Sequence, residues 1–325
     1  MNYEQYRWLI RYCQPVKKGL TLPEMSYIVR KVTSLNKSIS KMNQTRMNWV
    51  GALLLVVLVG GSIAAEAPQR IISLAPNITE ILFALEIEDR VVGVTDYCIY
   101  PPKAAQKASI GDLFNPNIEQ IFALQPDLVI GLPASTPLLN TLELQGIPVL
   151  TVHNETIADI LASIERIGDK TATSTRATAL IDSIRHHIEP HSPTPSTPIS
   201  AMIIIGRDPG QLTGIYVAGG KTFLSELLVR AGGQNAFADI KGYYNEASLE
   251  AIIQRNPRVI IELRPAAEQP QEAELRANWQ PLAPQLQAVP QHLVFIFGDY
   301  LLIPGPRLPQ IYHALLQALA PVSNE

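Results

Sequence analysis

The chain has 325 residues, 47% of them hydrophobic and 17% charged, enough for one large domain or two modest ones, each with its own core. Its formal charge of −3 conceals an asymmetry: the 46 residues before Met47 carry nine Lys/Arg against two Glu, +7, which leaves −10 on the rest. An acidic body argues against a nucleic-acid partner, which needs a basic face.

Residues 1–46 read as a basic N-terminal extension, with Met42 as an alternative start that keeps Arg46 ahead of an apolar run. That run, WVGALLLVVLVGGSIAAEA at 49–67, is short for a membrane span of roughly 20 residues and fits the h-region of a secretory signal. We take 47–67 as a signal peptide with cleavage after Ala64, Ala65 or Ala67; an uncleaved signal anchor is the alternative. Either way the positive-inside rule puts the body outside the cytoplasm, so the expected location is periplasmic. No cysteine follows the run before Cys98, so lipid attachment there is not expected. Cys13 lies in the head, and Cys98 alone cannot form an intrachain disulfide in the body.

From residue 68 strands alternate with helices. RIISLAP (70–76), RVVGVTDY (90–97), DLVIGL (127–132) and IPVLTV (147–152) are β-rich. ITEILFAL (78–85), IEQIFALQ (118–125) and LLNTLELQG (138–146) have helical spacing. Near-continuous apolar strands between helices predict an α/β lobe on a mainly parallel sheet over 68–153. At 154–189 the rhythm breaks. Thr156 and Asp159 form a capping-box pattern, and apolar residues recur at helical spacing from Ile157 to Ile188. This predicts one bridging helix of about 30 residues, roughly 45–50 Å long, or two helices bent at Gly168.

A Pro-rich link, 190–198, leads to a second lobe, 199–325. ISAMIIIG (199–206), RVIIEL (258–263) and HLVFIFG (292–298) are its strands. TFLSELLVRAGG (222–233), LEAIIQRN (249–256) and LPQIYHALLQALA (308–320) are its helices. The halves match in plan: TEILFAL with SELLVRA, and IEQIFALQPDLVIG with LEAIIQRNPRVIIE. Two lobes joined by one strut leave a cleft, the usual place for a ligand.

Catalytic patterns are missing. There is no G-x-S-x-G, CxxC or HExxH. His187 and His191 are four apart, but Pro190 lies between them, and AGGKT (218–222) lacks the rest of a phosphate loop. What remains is aromatic and loop-borne: Tyr97 and Tyr100 in DYCIYPP, Phe114 in GDLFNPN, Tyr216, Tyr243 and Tyr244, and Tyr300 in GDYLLIPGPR. Rings near strand ends suit a large flat ligand.

The ordered series RIISLAPNITEILFAL, VVGVTDYCIYPP, GDLFNPNIEQIFALQPDLVIG, YVAGGKTFLSELLVRAGGQNAFAD, YYNEASLEAIIQRNPRVII and PGPRLPQIYHALLQAL resembles the periplasmic substrate-binding proteins of ABC importers for cobalamin, ferric siderophores and haem. The cobalamin-binding subgroup is the nearest likeness, over about 70–320. The resemblance implies a class III periplasmic binding protein: two Rossmann-like α/β lobes bridged by a single long helix. It implies a monomer with no enzymatic activity and no cofactor. Its ligand would be cobalamin or another corrinoid, alternatively a ferric siderophore or haem, handed to an ABC permease dimer. It carries ligand contact to Tyr97, Tyr244, Asp299 and Tyr300, which join Phe114 and Tyr216 as the expected cleft set. It carries permease docking to Glu119 and Glu250. Where the cobalamin binder has a Trp beside Phe114, this chain has Leu113. An exported α/β enzyme using Asp299, Arg307 or Glu119 is the alternative from another class.

Overall fold

A computed structural model describes residues 66–112, 116–190 and 197–323. The basic extension, nearly all of the apolar run, Phe114 and most of the Pro-rich link lie outside the described residues. The first lobe follows the expected strand–helix alternation: β1 (Ile71–Ser73), α1 (Pro76–Ala84), β2 (Val91–Val94), β3 (Ala108–Ser109), α2 (Ile118–Ala123), β4 (Leu128–Gly131), α3 (Thr136–Leu144) and β5 (Val149–Thr151). The five strands form one parallel sheet in the order β3-β2-β1-β4-β5. Strand β4 is buried along its whole length, as its unbroken apolar run requires when helices cover both faces. The order reverses between β1 and β4, so the loops after these strands open a crevice at the carboxyl edge of the sheet.

The second lobe comprises β6 (Ile199–Gly206), β7 (Tyr216–Ala218), α6 (Phe223–Arg230), β8 (Gly233–Asn235), β9 (Tyr244–Glu246), α7 (Leu249–Arg255), β10 (Val259–Arg264), α8 (Glu272–Trp279), β11 (Leu293–Phe297) and α9 (Leu308–Ser323). Its sheet is mixed, in the order β11-β10-β6-β7-β9, with β8 beside β6. β6, β10 and β11 run parallel, and β7 lies antiparallel to β6 and β9. The matched segments occupy matched places: α2 leads into β4 and α7 into β10, each strand flanked by two parallel neighbours.

Strand β10 also buries two charges that its apolar pattern does not announce. Glu262 is fully buried and accepts from Arg207 Nε at 2.9 Å and from Trp279 Nε1 at 3.0 Å. Arg264 lies 3.3 Å from it and also bonds Glu268. Paired this way the charges are tolerable; a lone one in this core would cost about 3–5 kcal/mol.

The bridge differs from the single long helix. Two 14-residue helices, α4 (Ile157–Lys170) and α5 (Ser174–His187), replace it. The break falls at Ala172, whose φ of 58° is left-handed. Thr173 N–H bonds Gly168 C=O, and Ala172 N–H bonds Asp169 C=O, the paired bonds of a Schellman stop. Ala in this position carries no glycine signature, so the pattern reads through it. Gly168 serves the packing instead. A Cβ there would lie 2.4 Å from that of Ala177, so its absence lets the helices meet.

The helices form an antiparallel hairpin of about 21 Å per arm. At its turn, Arg90 donates to Thr171 C=O and Arg176 to Leu85 C=O, both in contact with the first lobe. At its open end, Ile157 N–H donates to Glu226, and Tyr312 Oη donates to Glu189 C=O, both tied to the second lobe. The Thr156–Asp159 capping box forms as expected. One apolar core runs from β1 and α1 through both bridge helices to β6, β10 and α9. From Ala67 on, the two lobes therefore belong to one compact unit.

Candidate functional site

The lobes meet around a cavity of about 400 Å³. The first lobe supplies the start of α1 and the loop after β2; the second supplies the loop after β11. In α1, Pro76 takes the first helical position, where its missing N–H costs nothing, and Ile78, Ile81 and Leu82 turn into the core. This leaves Glu80, one turn in, facing the cavity while only 4% exposed.

Tyr97, Ile99 and Tyr100 line the cavity after β2. Ile99 and Tyr100 are 38% and 44% exposed. Across from them stand Phe297, Asp299, Tyr300 and Ile303. Asp299 accepts, at 3.4 Å, from the N–H of Ala266. The wall is mainly apolar and aromatic with a few fixed polar groups, the usual make-up of a small-molecule site.

Arg307 crosses the boundary between lobes. Its Nε donates to Glu80 Oε2 at 2.9 Å and its Nη2 to Glu80 Oε1. The guanidinium lies 4.1 Å from the ring centre of Tyr100 and 5.6 Å from that of Tyr300, within cation–π range of both. Burial pushes Glu80 up to about 7, against the opposing pull of Arg307 through its hydrogen bond and charge. Burial likewise raises the Tyr300 hydroxyl, with the Arg307 charge pulling it down.

The expected site residues divide. Tyr97, Asp299 and Tyr300 come together here. Tyr244 pairs with Ala218 between β9 and β7, and its ring, 7% exposed, packs in the main core. Tyr216 is half-buried at the start of β7 against the same core. Neither lines the cavity, because strand pairing fixes which way they face. Tyr100, one of the loop-borne aromatics of the sequence, and Arg307, weighed there only for an exported enzyme, join Tyr97, Asp299 and Tyr300. Glu80 is the addition, and a glutamate amid the apolar ITEILFAL helix is the available signal for it.

Glu119 and Glu250 each occupy the second position of a capped helix. Asn117 caps α2 by accepting from Gln120 N–H, and Ser248 caps α7 by accepting from Ala251 N–H. Both glutamates are exposed. The backbone N–H of Glu250 and the Ser248 side chain hold the Glu250 carboxyl below its ordinary value. Ile118 and Phe122, each 41% exposed, flank Glu119. Among the described residues no group of three or more His, Cys, Asp or Glu could hold a metal ion, and no helix is long and apolar enough to cross a membrane.

Residues 71–301 match the family described as periplasmic binding protein. The chain is 31% identical over 267 residues to the uncharacterised ABC transporter substrate-binding lipoprotein YvrC of Bacillus subtilis, covering 79% of this chain and 81% of that one. It is 28% identical over 265 residues to a vitamin B12-binding protein of Vibrio parahaemolyticus, covering 80% and 93%. The fold superposes on a periplasmic haem-binding protein of Pseudomonas aeruginosa with a TM-score of 0.66 at 27% identity, covering 78% and 93%.

Proposed function

Because this chain belongs to the periplasmic binding protein family, the substrate-binding components of ABC importers, we propose that it binds a corrinoid, cobalamin in the first instance, between its lobes. The observation that carries this reading is the aromatic cavity shared by both lobes, with Tyr97 and Tyr100 facing Tyr300. At about 400 Å³ it would hold the face or edge of a large ring system and leave the periphery in the open cleft. A family of this kind carries ligand to a permease and performs no catalysis, so no step beyond binding and release is required.

Haem is the second reading. It is supported by the tyrosines in the cavity, since a phenolate is a haem-iron ligand, and by the likeness to a haem binder. The raised Tyr300 hydroxyl disfavours that residue as the phenolate, which leaves Tyr97 or Tyr100. Titration with cyanocobalamin, haemin and a ferric siderophore, followed by absorbance and tryptophan fluorescence, tests the choice. Sub-micromolar binding of cyanocobalamin supports the corrinoid reading; binding of haemin alone moves the assignment to haem.

For delivery, Glu119 and Glu250 serve as the two docking carboxylates, one on each lobe, for arginines of a permease dimer, with the protein acting as a monomer. Their capped positions keep both carboxylates exposed at helix starts, and the apolar Ile118 and Phe122 beside Glu119 add contact area. Bidentate Arg–carboxylate pairing gives orientation as well as attraction; exposed pairs contribute only about 0–1 kcal/mol each, so they act as registration points. Export is assigned to the apolar segment at 49–67, and N-terminal sequencing of the mature protein distinguishes a cleaved signal from an anchor.

A further inference from the structure

Side-on pairing with Glu80 uses the Nε and Nη2 edge of Arg307. Among the described residues the Nη1 edge has no protein acceptor, and Arg307 lines the cavity. The guanidinium carbon also lies over the rings of Tyr100, from one lobe, and Tyr300, from the other, and these contacts with the Glu80 pair restrict how the free edge can turn. We propose that this open edge of Arg307 reads an acidic group of the ligand, a carboxylate or a phosphodiester, and that Glu80 takes up a proton as the acid docks. The inference rests on the cleft being the ligand site and adds the chemical class that it selects.

A guanidinium fork matches carboxylate and phosphate oxygens in two-point geometry, and Arg keeps its charge at every relevant pH. The groups around Glu80 set the sign of the linkage. Arg307 faces it from the second lobe, and the buried Cys98 thiol lies behind it in the first. Asp299, Tyr97, Tyr100 and Tyr300 share its cavity. With Glu80 ionised, its carboxylate holds one edge of Arg307 and repels an incoming anion. With Glu80 protonated, that repulsion is gone and the Arg307 charge is open to the ligand. Glu80, raised to about 7, is divided between the two forms near neutral pH. An acid beside Arg307 stabilises the protonated form and must, by linkage, bind more tightly as pH falls through 7. The limit is about tenfold per pH unit for one proton taken up. A ligand without an acid in this place lacks that dependence.

Calorimetric titration of the intact protein at pH 6 and pH 8 tests the inference with two matched pairs of probes. Haemin and its dimethyl ester differ in the carboxylates; cyanocobalamin and dicyanocobinamide differ in the nucleotide loop with its phosphodiester. The acid-bearing member of the pair that binds should gain about tenfold from pH 8 to pH 6 while its partner stays flat, and the pair that responds names the acid. Glu80→Gln should bring the pH 8 affinity to the pH 6 value and remove the pH dependence. Arg307→Lys, which keeps the charge and loses the fork, should weaken only the acid-bearing probe. Equal affinities and equal pH profiles within a pair that binds would overturn the inference and leave cleft binding intact. Failure of all four probes to bind would overturn both.

Discussion

Glu80 sits where a helix that packs on its own core also has to serve a cavity, and its burial leaves a signature in the stability of the protein. The unfolded carboxyl titrates near 4.5 and the folded one near 7. Between these values the native state holds a proton that the unfolded state has released, so stability from this group falls as pH rises through that window. The difference in unfolding free energy between wild type and Glu80→Gln should therefore decline from pH 4.5 to pH 7 and level off above. Urea denaturation across that range measures it, and a difference that stays constant with pH would contradict the assignment. At this scale the sequence is legible in part. Tyr97, Asp299 and Tyr300 are marked by their place after strands. Tyr216 and Tyr244 carry the same mark, because alternation along a short strand decides which ring faces the core and no local pattern shows it. Arg307 is hidden for another reason: its partner Glu80 is 227 residues away.

Among the elements, the capped starts of α2, α4 and α7 follow from Asn117, Thr156 and Ser248, and residue type alone signals them. The end of α4 does not, since Ala172 gives no warning of a left-handed turn. Two substitutions separate the roles of Gly168 and Ala172. Gly168→Ala places a methyl against Ala177 and should cost about 1–3 kcal/mol by forcing the hairpin apart. Ala172→Gly relieves the left-handed strain and should be neutral or stabilising by up to about 1 kcal/mol. Denaturant midpoints measure both; a harmless Gly168→Ala would refute the close approach of α4 and α5. In β10, Glu262→Ala leaves Arg207 without its carboxylate, and a loss of about 3–5 kcal/mol is expected.

For the molecule as a whole, the hairpin is tied to the first lobe at its turn and to the second at its open end, and one core passes between the lobes. Such a frame holds the walls of the cleft at a set distance and makes large hinge closure unnecessary for binding. The two-lobed plan is readable from the recurrence of IEQIFALQPDLVIG as LEAIIQRNPRVIIE, since each copy builds a capped helix and an interior strand. The mixed second sheet is less so, as β7, β8 and β9 have only three residues each. The same plan puts one exposed glutamate at each matching helix start. Glu119→Ala combined with Glu250→Ala should abolish uptake through the importer while leaving ligand affinity unchanged; normal uptake by the double variant would refute docking. Whether the aromatic cavity takes the ligand is decided by titration with cyanocobalamin. Trp279 is the one tryptophan among the described residues, so its fluorescence reports on the folded body. Saturable quenching with a sub-micromolar Kd, weakened at least tenfold when Tyr100 and Tyr300 are both changed to Ala, is the expected result. Unaltered affinity in that double variant, or no binding by the wild type, would rule out the cavity as the corrinoid site.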